Sequence, residues 1–206
     1  MPVTAKICGL STPDTLGAAI AGGASHVGFV FFPPSPRNLS PDQARALASR
    51  VPGHVSKVGV FVDPDDALLE AVLPFLDAVQ LHKTSPERAA AIRKPVWAAV
   101  AVKTRADLDQ ARAYAGAAER ILYDAKTPDN AALPGGMGLR FDWTLLQGFT
   151  HPLPWALSGG LDPLNVADAA RITGAPLVDV SSGVESAPGL KDVDKIAAFL
   201  QAVAQC

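Results

Sequence analysis

Eight short runs rich in Val, Ile, Leu and Phe, mostly without polar alternation, predict a single-domain (β/α)8 TIM barrel of eight parallel strands spanning residues 1–206. Two further observations carry the prediction. Ala-rich stretches with apolar residues at helical spacing separate most of the runs, and a Thr, Ser or Asp followed by Pro opens five of the connections. Composition agrees: 49% hydrophobic and 18% charged residues, with 18 Lys+Arg against 20 Asp+Glu, describe a soluble globular domain. A chain of this length buries roughly 70% of its unfolded surface, so it needs no disulfide or metal staple. The net charge of −2 supplies no broad basic field for nucleic acid. No run reaches the ~18 apolar residues of a membrane span, and residues 1–6 lack a leader pattern, so a cytoplasmic location and a small-molecule partner are expected.

The first strand starts near Val3 and closes at Cys8. The period of two turns Lys6 and Cys8 toward the barrel axis and Ile7 toward the helices. Thr12-Pro13 opens the helix that follows. The second strand starts near His26 and enters a loop, residues 32–39, stiffened by three prolines around Arg37; Ser40-Pro41-Asp42-Gln43 then has the spacing of a capping box before a helix over 42–50. The third strand starts near Lys57, with Asp63-Pro64 as the next helix opening. The fourth starts near Ala78 and places Gln80 and His82 on the inner face, after which Ser85-Pro86 begins a helix over 87–93. The fifth starts near Val96 and leads to a helix over 106–115. The sixth starts near Arg120, reaches Asp124, and enters the longest loop, residues 125–141, which carries Pro134-Gly135-Gly136-Met137-Gly138. The seventh starts near Pro154 and is followed by Ser158-Gly159-Gly160, then Asp162-Pro163 and a helix over 165–172. The eighth starts near Leu177, runs through Asp179 to Ser182-Gly183, and precedes a helix over 193–203. A doubly wound open sheet is the competing architecture, but Cys8-Gly9-Leu10-Ser11 lacks the three-glycine spacing that it would use for a nucleotide.

Barrel chemistry sits at the C-terminal ends of the strands, which directs attention to the residues there. Cys8 reads either as an inert core thiol or as a base, and Asp124 either as a loop cap or as an acid whose pKa burial would raise. Together, across one cavity, they form an acid and base pair. Gly159, Gly160, Ser182 and Gly183 follow the two strands where barrels commonly hold phosphate, and small residues there let backbone N–H groups approach an anion. Arg37 on its rigid loop is suited to a bidentate grip on a carboxylate. His82 is a donor to an anion or sugar oxygen, or a structural histidine. Cys8 and Cys206 lie at opposite ends of the chain and no closely spaced His/Cys cluster implies a metal.

These segments resemble the phosphoribosylanthranilate isomerase family over essentially the whole chain. The resemblance is carried by KICGL at 6–10, GFVFFPPSPRNLSPDQA at 28–44, VGVFVDP at 58–64, VQLH at 79–82, YDAKTP at 123–128 with PGGMGLRFDW at 134–143, LSGGLDPLNV at 157–166 and VDVSSGVESAPGLKD at 178–192. It implies a cofactor-free Amadori rearrangement of an aminoaldose phosphate in tryptophan biosynthesis. Under it Asp124 is the general acid for the furanose oxygen and Cys8 the general base at sugar C2. Arg37 holds the anthranilate carboxylate, and Gly159, Gly160, Ser182 and Gly183 hold the phosphate. His82 and Asp179 support the substrate. Lys6 is expected to promote ionisation of the Cys8 thiol. Lys83, Met137, Leu139 and Asp162 depart from the family's usual residues, and the loop changes bear on how residues 125–141 are fastened. Two other readings stand beside this one: a Schiff-base aldolase or lyase using an inward Lys6, and a non-catalytic phosphosugar-binding barrel. A histidine-pathway aminoaldose suits Arg37 less well, since it offers no anthranilate carboxylate. Cys206 reads as an incidental exposed thiol.

Overall fold

The computed structural model describes residues 2–128, 133 and 135–206; Met1 and, within the long loop, residues 129–132 and 134 lie outside the described residues. Eight parallel strands close into a barrel in chain order: β1 Thr4–Cys8, β2 His26–Phe31, β3 Ser56–Val62, β4 Ala78–His82, β5 Val96–Val102, β6 Arg120–Ala125, β7 Trp155–Leu157 and β8 Leu177–Val180. Every strand begins within a residue or so of its expected start. Closure is made by Thr4 to Ile7 of β1 against Leu177 to Val180 of β8, while β7 meets β8 through a single register pair, Leu157 with Val178.

Unalternating strands arise because both faces are buried. Ile7, Val27, Phe29, Phe61, Val79, Ile121 and Val178 face the helices in one large outer core. Inside the barrel, Val58, Ala78, Trp97, Leu122, Ala156 and Leu177 form a separate packed layer, with Cys8, Val30 and Val60 above it toward the mouth. Lys6 and Cys8 point inward as the period of two requires. A filled lower interior confines any cavity to the C-terminal rim.

The helices are α1 Pro13–Ala21, α2 Pro41–Ala48, α3 Asp66–Val72, α4 Pro86–Ala90, α5 Val166–Thr173 and α6 Val193–Val203. Thr12, Ser40 and Ser85 cap α1, α2 and α4 with Pro next in line, and Ser40 with Gln43 completes the capping box. The other two Pro-marked starts are corrected. Asp63 adopts a left-handed φ of 44°, and the carboxylate of Asp65 instead accepts the Leu68 N–H to open α3. The Asp162 carboxylate accepts from the N–H groups of Leu164 and Asn165, closing a turn, so α5 starts only at Val166. Nor is the segment after β5 an α-helix: Arg105–Tyr114 is a 3₁₀-helix, whose buried Leu108 and Ala111 are spaced by three, the repeat of that helix. Between β8 and α6 a two-stranded hairpin, β9 Glu185–Ala187 and β10 Leu190–Lys191, folds over the rim, an element absent from the sequence expectation.

Candidate active site

A cleft of about 820 Å³, its open mouth included, occupies the C-terminal end of the barrel. Cys8, Arg37, His82, Asp124, Asp179, Gly159, Gly160 and Ser182 all line it, so eight of the nine residues singled out from the sequence converge on one space. Gly183 is the exception. A Cβ placed there would stand 1.9 Å from the Leu161 carbonyl oxygen, so its lack of a side chain lets the loops after β7 and β8 meet. Gly159 and Gly160 hold φ of 91° and 66°, which turns their backbone at the cavity wall in a way larger residues resist.

Asp124 ends β6 with its carboxyl buried. Oδ1 accepts the Ala125 N–H at 2.9 Å, and Oδ2 lies under Gly135, where a Cβ would come within 2.6 Å of it. Burial first, and the Asp179 carboxylate second, push its pKa up to about 7, overcoming the opposing pull of the Ala125 N–H and Lys6. A carboxyl poised there is half protonated at neutral pH.

Cys8 ends β1, buried beside Lys6. Lys6 is fully enclosed and its ammonium donates to Asp179 Oδ1 at 2.8 Å. For Lys6, burial is the largest single influence and opposes the charge, but Asp179 and Cys8 together outweigh it and the group stays an ammonium. Such a lysine is not a free amine, and the Schiff-base reading is set aside on that ground. Lys6 does favour the Cys8 thiolate, yet burial dominates and the thiol stands above its ordinary value. Lys6 thus acts on the thiol in the expected direction, but burial, with Asp179 adding to it, outweighs that pull.

Arg37 is buried instead of reaching freely into the cleft. Its Nε and Nη2 donate to Glu185 Oε1 and Oε2 at 2.6 and 2.8 Å, and Nη2 also donates to the Gly136 carbonyl at 3.1 Å. The two-toothed grip expected for a substrate carboxylate is therefore spent on Glu185, and among the described residues Nη1 is the edge left over. Gln80 donates through Nε2 to His82 Nε2 at 3.0 Å, and burial together with the charges of Lys6 and Lys83 lowers the His82 pKa to about 4. The ring is neutral at pH 7 and fits a hydrogen-bonding role. Ser158 Oγ reaches the second Asp179 oxygen at 3.4 Å.

Sequence reasoning missed Glu185 and Lys191. Lys191 donates to Glu185 Oε1 and to the Ser181 carbonyl, close enough to Cys8 to influence it. Both residues sit in the hairpin, and no spacing signal could have paired Glu185 with Arg37 across 148 residues. Met137 and Leu139, two of the departures noted from sequence, line the cleft and remain exposed.

Residues 5–202 match the sequence model of a family described as N-(5'-phosphoribosyl)anthranilate (PRA) isomerase. Among named relatives, the N-(5'-phosphoribosyl)anthranilate isomerases of Zymomonas mobilis subsp. pomaceae and Paramagnetospirillum magneticum are 57% and 56% identical, over 98% of this chain and 99% and 97% of theirs. The crystal structure of phosphoribosyl anthranilate isomerase from Thermotoga maritima superposes with a TM-score of 0.88 at 37% identity, covering 99% of this chain and 100% of that one. Another solved isomerase, in complex with reduced 1-(o-carboxyphenylamino)-1-deoxyribulose 5-phosphate, gives 0.86 at 35% with the same coverage.

Proposed function

The chain belongs to the N-(5'-phosphoribosyl)anthranilate isomerase family, and from that premise we propose that Cys8 and Asp124 are the base and acid of its Amadori rearrangement. The reaction converts N-(5-phosphoribosyl)anthranilate to 1-(2-carboxyphenylamino)-1-deoxyribulose 5-phosphate in tryptophan biosynthesis. Asp124 donates its proton to the furanose oxygen as the C1–O bond breaks, leaving an imine. Cys8 as thiolate removes the proton from C2, and the resulting enolamine tautomerises to the ketone. One acid and one base suffice, and each contributes about 10²- to 10⁴-fold when well placed.

The observation that carries this assignment is a buried carboxyl with a pKa near 7 lining the same cleft as a buried thiol beside an ammonium. Because the thiol lies above and the carboxyl below in pKa, the working enzyme is the minority form, thiolate with carboxylic acid. Arg37 offers Nη1 to the anthranilate carboxylate, and the backbone around Gly159, Gly160, Ser182 and Gly183 receives the phosphate. His82 and Asp179 hold the sugar hydroxyls in place. The substrate is a small phosphosugar.

The test is fluorescence decay of freshly generated phosphoribosylanthranilate with wild type, Cys8→Ala and Asp124→Asn. Each variant loses at least about 10²-fold in turnover. Near-normal turnover in either one removes that residue from its role.

A further inference from the structure

Glu185 touches none of the groups that react, yet it is buried with both carboxylate oxygens engaged. Oε1 accepts Arg37 Nε at 2.6 Å and Lys191 Nζ at 2.5 Å, and Oε2 accepts Arg37 Nη2 at 2.8 Å and the Gly189 N–H at 3.1 Å. Burial disfavours its charge, but Arg37 and Lys191 outweigh that and keep it a carboxylate. A side-on carboxylate fixes the plane of a guanidinium. Fixed in this way, Arg37 Nη2 also donates to the Gly136 carbonyl at 3.1 Å, while a Cβ at Gly136 would stand 3.0 Å from Nη1. Gly135, the residue before, covers Asp124 Oδ2.

We propose that Glu185 is a positioning residue: it orients Arg37 so that one edge of the guanidinium holds the Gly135–Gly136 backbone over the Asp124 carboxyl while Nη1 remains for the substrate. This supplies a fastening for the loop that does not depend on Met137 or Leu139. It rests on the assignment of Asp124 as the acid. Without the fork the Gly135–Gly136 backbone loses its partner and water reaches Asp124, whose charged form becomes easier to make. The ionisable and polar groups that otherwise face Asp124 are Asp179 of β8, Lys6 and Cys8 of β1, His82 of β4, Ser158 of β7, and Lys83 and Lys126 in the adjoining cleft, and all are unchanged by the substitution. Lys195 donates to the Glu185 backbone carbonyl and, among the described residues, makes no bond to its carboxylate.

The consequence is specific because the working enzyme is a minority protonation state. Every pH unit by which the acidic limb of kcat/KM falls reduces the plateau about tenfold. The experiment is the pH profile of kcat/KM for wild type, Glu185→Gln, Arg37→Met, Arg37→Lys and the Glu185→Gln/Arg37→Met pair, with folding checked by circular dichroism. Substrate phosphate titration is common to all and cancels. Glu185→Gln and Arg37→Met remove opposite charges, so a purely electrostatic role moves the limb in opposite directions. The proposal predicts that both move it down by about one pH unit. It also predicts that Arg37→Lys, which keeps the charge but loses the fork, moves it likewise, and that the pair matches Arg37→Met within about twofold.

An unmoved limb, opposite movements, or additive losses overturn the proposal. If Glu185→Gln does not fold, Arg37→Lys decides alone: a limb at the wild-type position refutes it. Failure of the underlying acid assignment shows separately, as turnover retained in Asp124→Asn.

Discussion

Asp124→Asn should make the protein more stable while making it inactive, and the gain should depend on pH in a defined way. Placing the carboxyl where it lies moves its pKa from 3.8 to about 7. Below 3.8 the group is protonated in both folded and unfolded chains, so the substitution gains nothing. Between 3.8 and about 7 the unfolded chain ionises and the folded chain does not, so wild-type stability is lost as pH rises. An asparagine escapes this loss. Its amide oxygen can keep the Ala125 N–H bond, and its volume is the same. The variant's advantage should therefore be close to zero near pH 3, about 1.5 kcal/mol at pH 5, and about 4 kcal/mol as an upper bound at pH 8. Urea denaturation of both proteins at these three pH values, with equal m-values, measures it. A gain that does not vary with pH, or a variant less stable at pH 8, would show that Asp124 is not held as a raised, buried carboxyl.

Lys6→Met leaves Asp179 buried with, among the described residues, only the long Ser158 contact, and should cost about 3–5 kcal/mol in denaturant; adding Asp179→Asn should return part of that loss. Gly183→Ala drives a methyl into the Leu161 carbonyl, so the loops after β7 and β8 must separate; a loss of about 1–3 kcal/mol together with a raised KM is expected from melting and steady-state kinetics. Ser40→Ala removes the side-chain acceptor for the Gln43 N–H at the start of α2, at a residue that does not line the cleft, and should cost about 1 kcal/mol with turnover unchanged.

The strands were legible because a barrel strand is buried on both faces and so writes an unbroken apolar run, and because turn and capping residues bound each run. Inward parity then followed from the period of two, which is why Lys6, Cys8, Gln80, His82 and Asp124 were placed correctly. Helix starts were read less well, because Asp-Pro-Asp-Asp offers two acceptors and only contacts decide which one caps: Asp65 does and Asp63 does not. The 3₁₀ geometry of Arg105–Tyr114 was hidden in a sequence that also suits an α-helix. In the site, individual positions were readable but not their pairings. Nothing near Arg37 in the sequence indicates that its guanidinium is held by Glu185, and nothing in KIC indicates that Asp179 answers the charge of Lys6. Those pairings arise from strand order and a hairpin, and they alter the chemistry: the first redirects a carboxylate grip, and the second leaves burial in control of the Cys8 thiol.

The acid and base assignment meets its most direct test in a crystal structure of this protein with the reduced product analogue, 1-(o-carboxyphenylamino)-1-deoxyribulose 5-phosphate, in the cleft. The sugar chain should run between the two groups, with Cys8 Sγ about 3.5–4 Å from C2 on one side and the Asp124 carboxyl about 3 Å from O4 on the other. Either group beyond about 5 Å from its atom, or both on the same side of the chain, would contradict it.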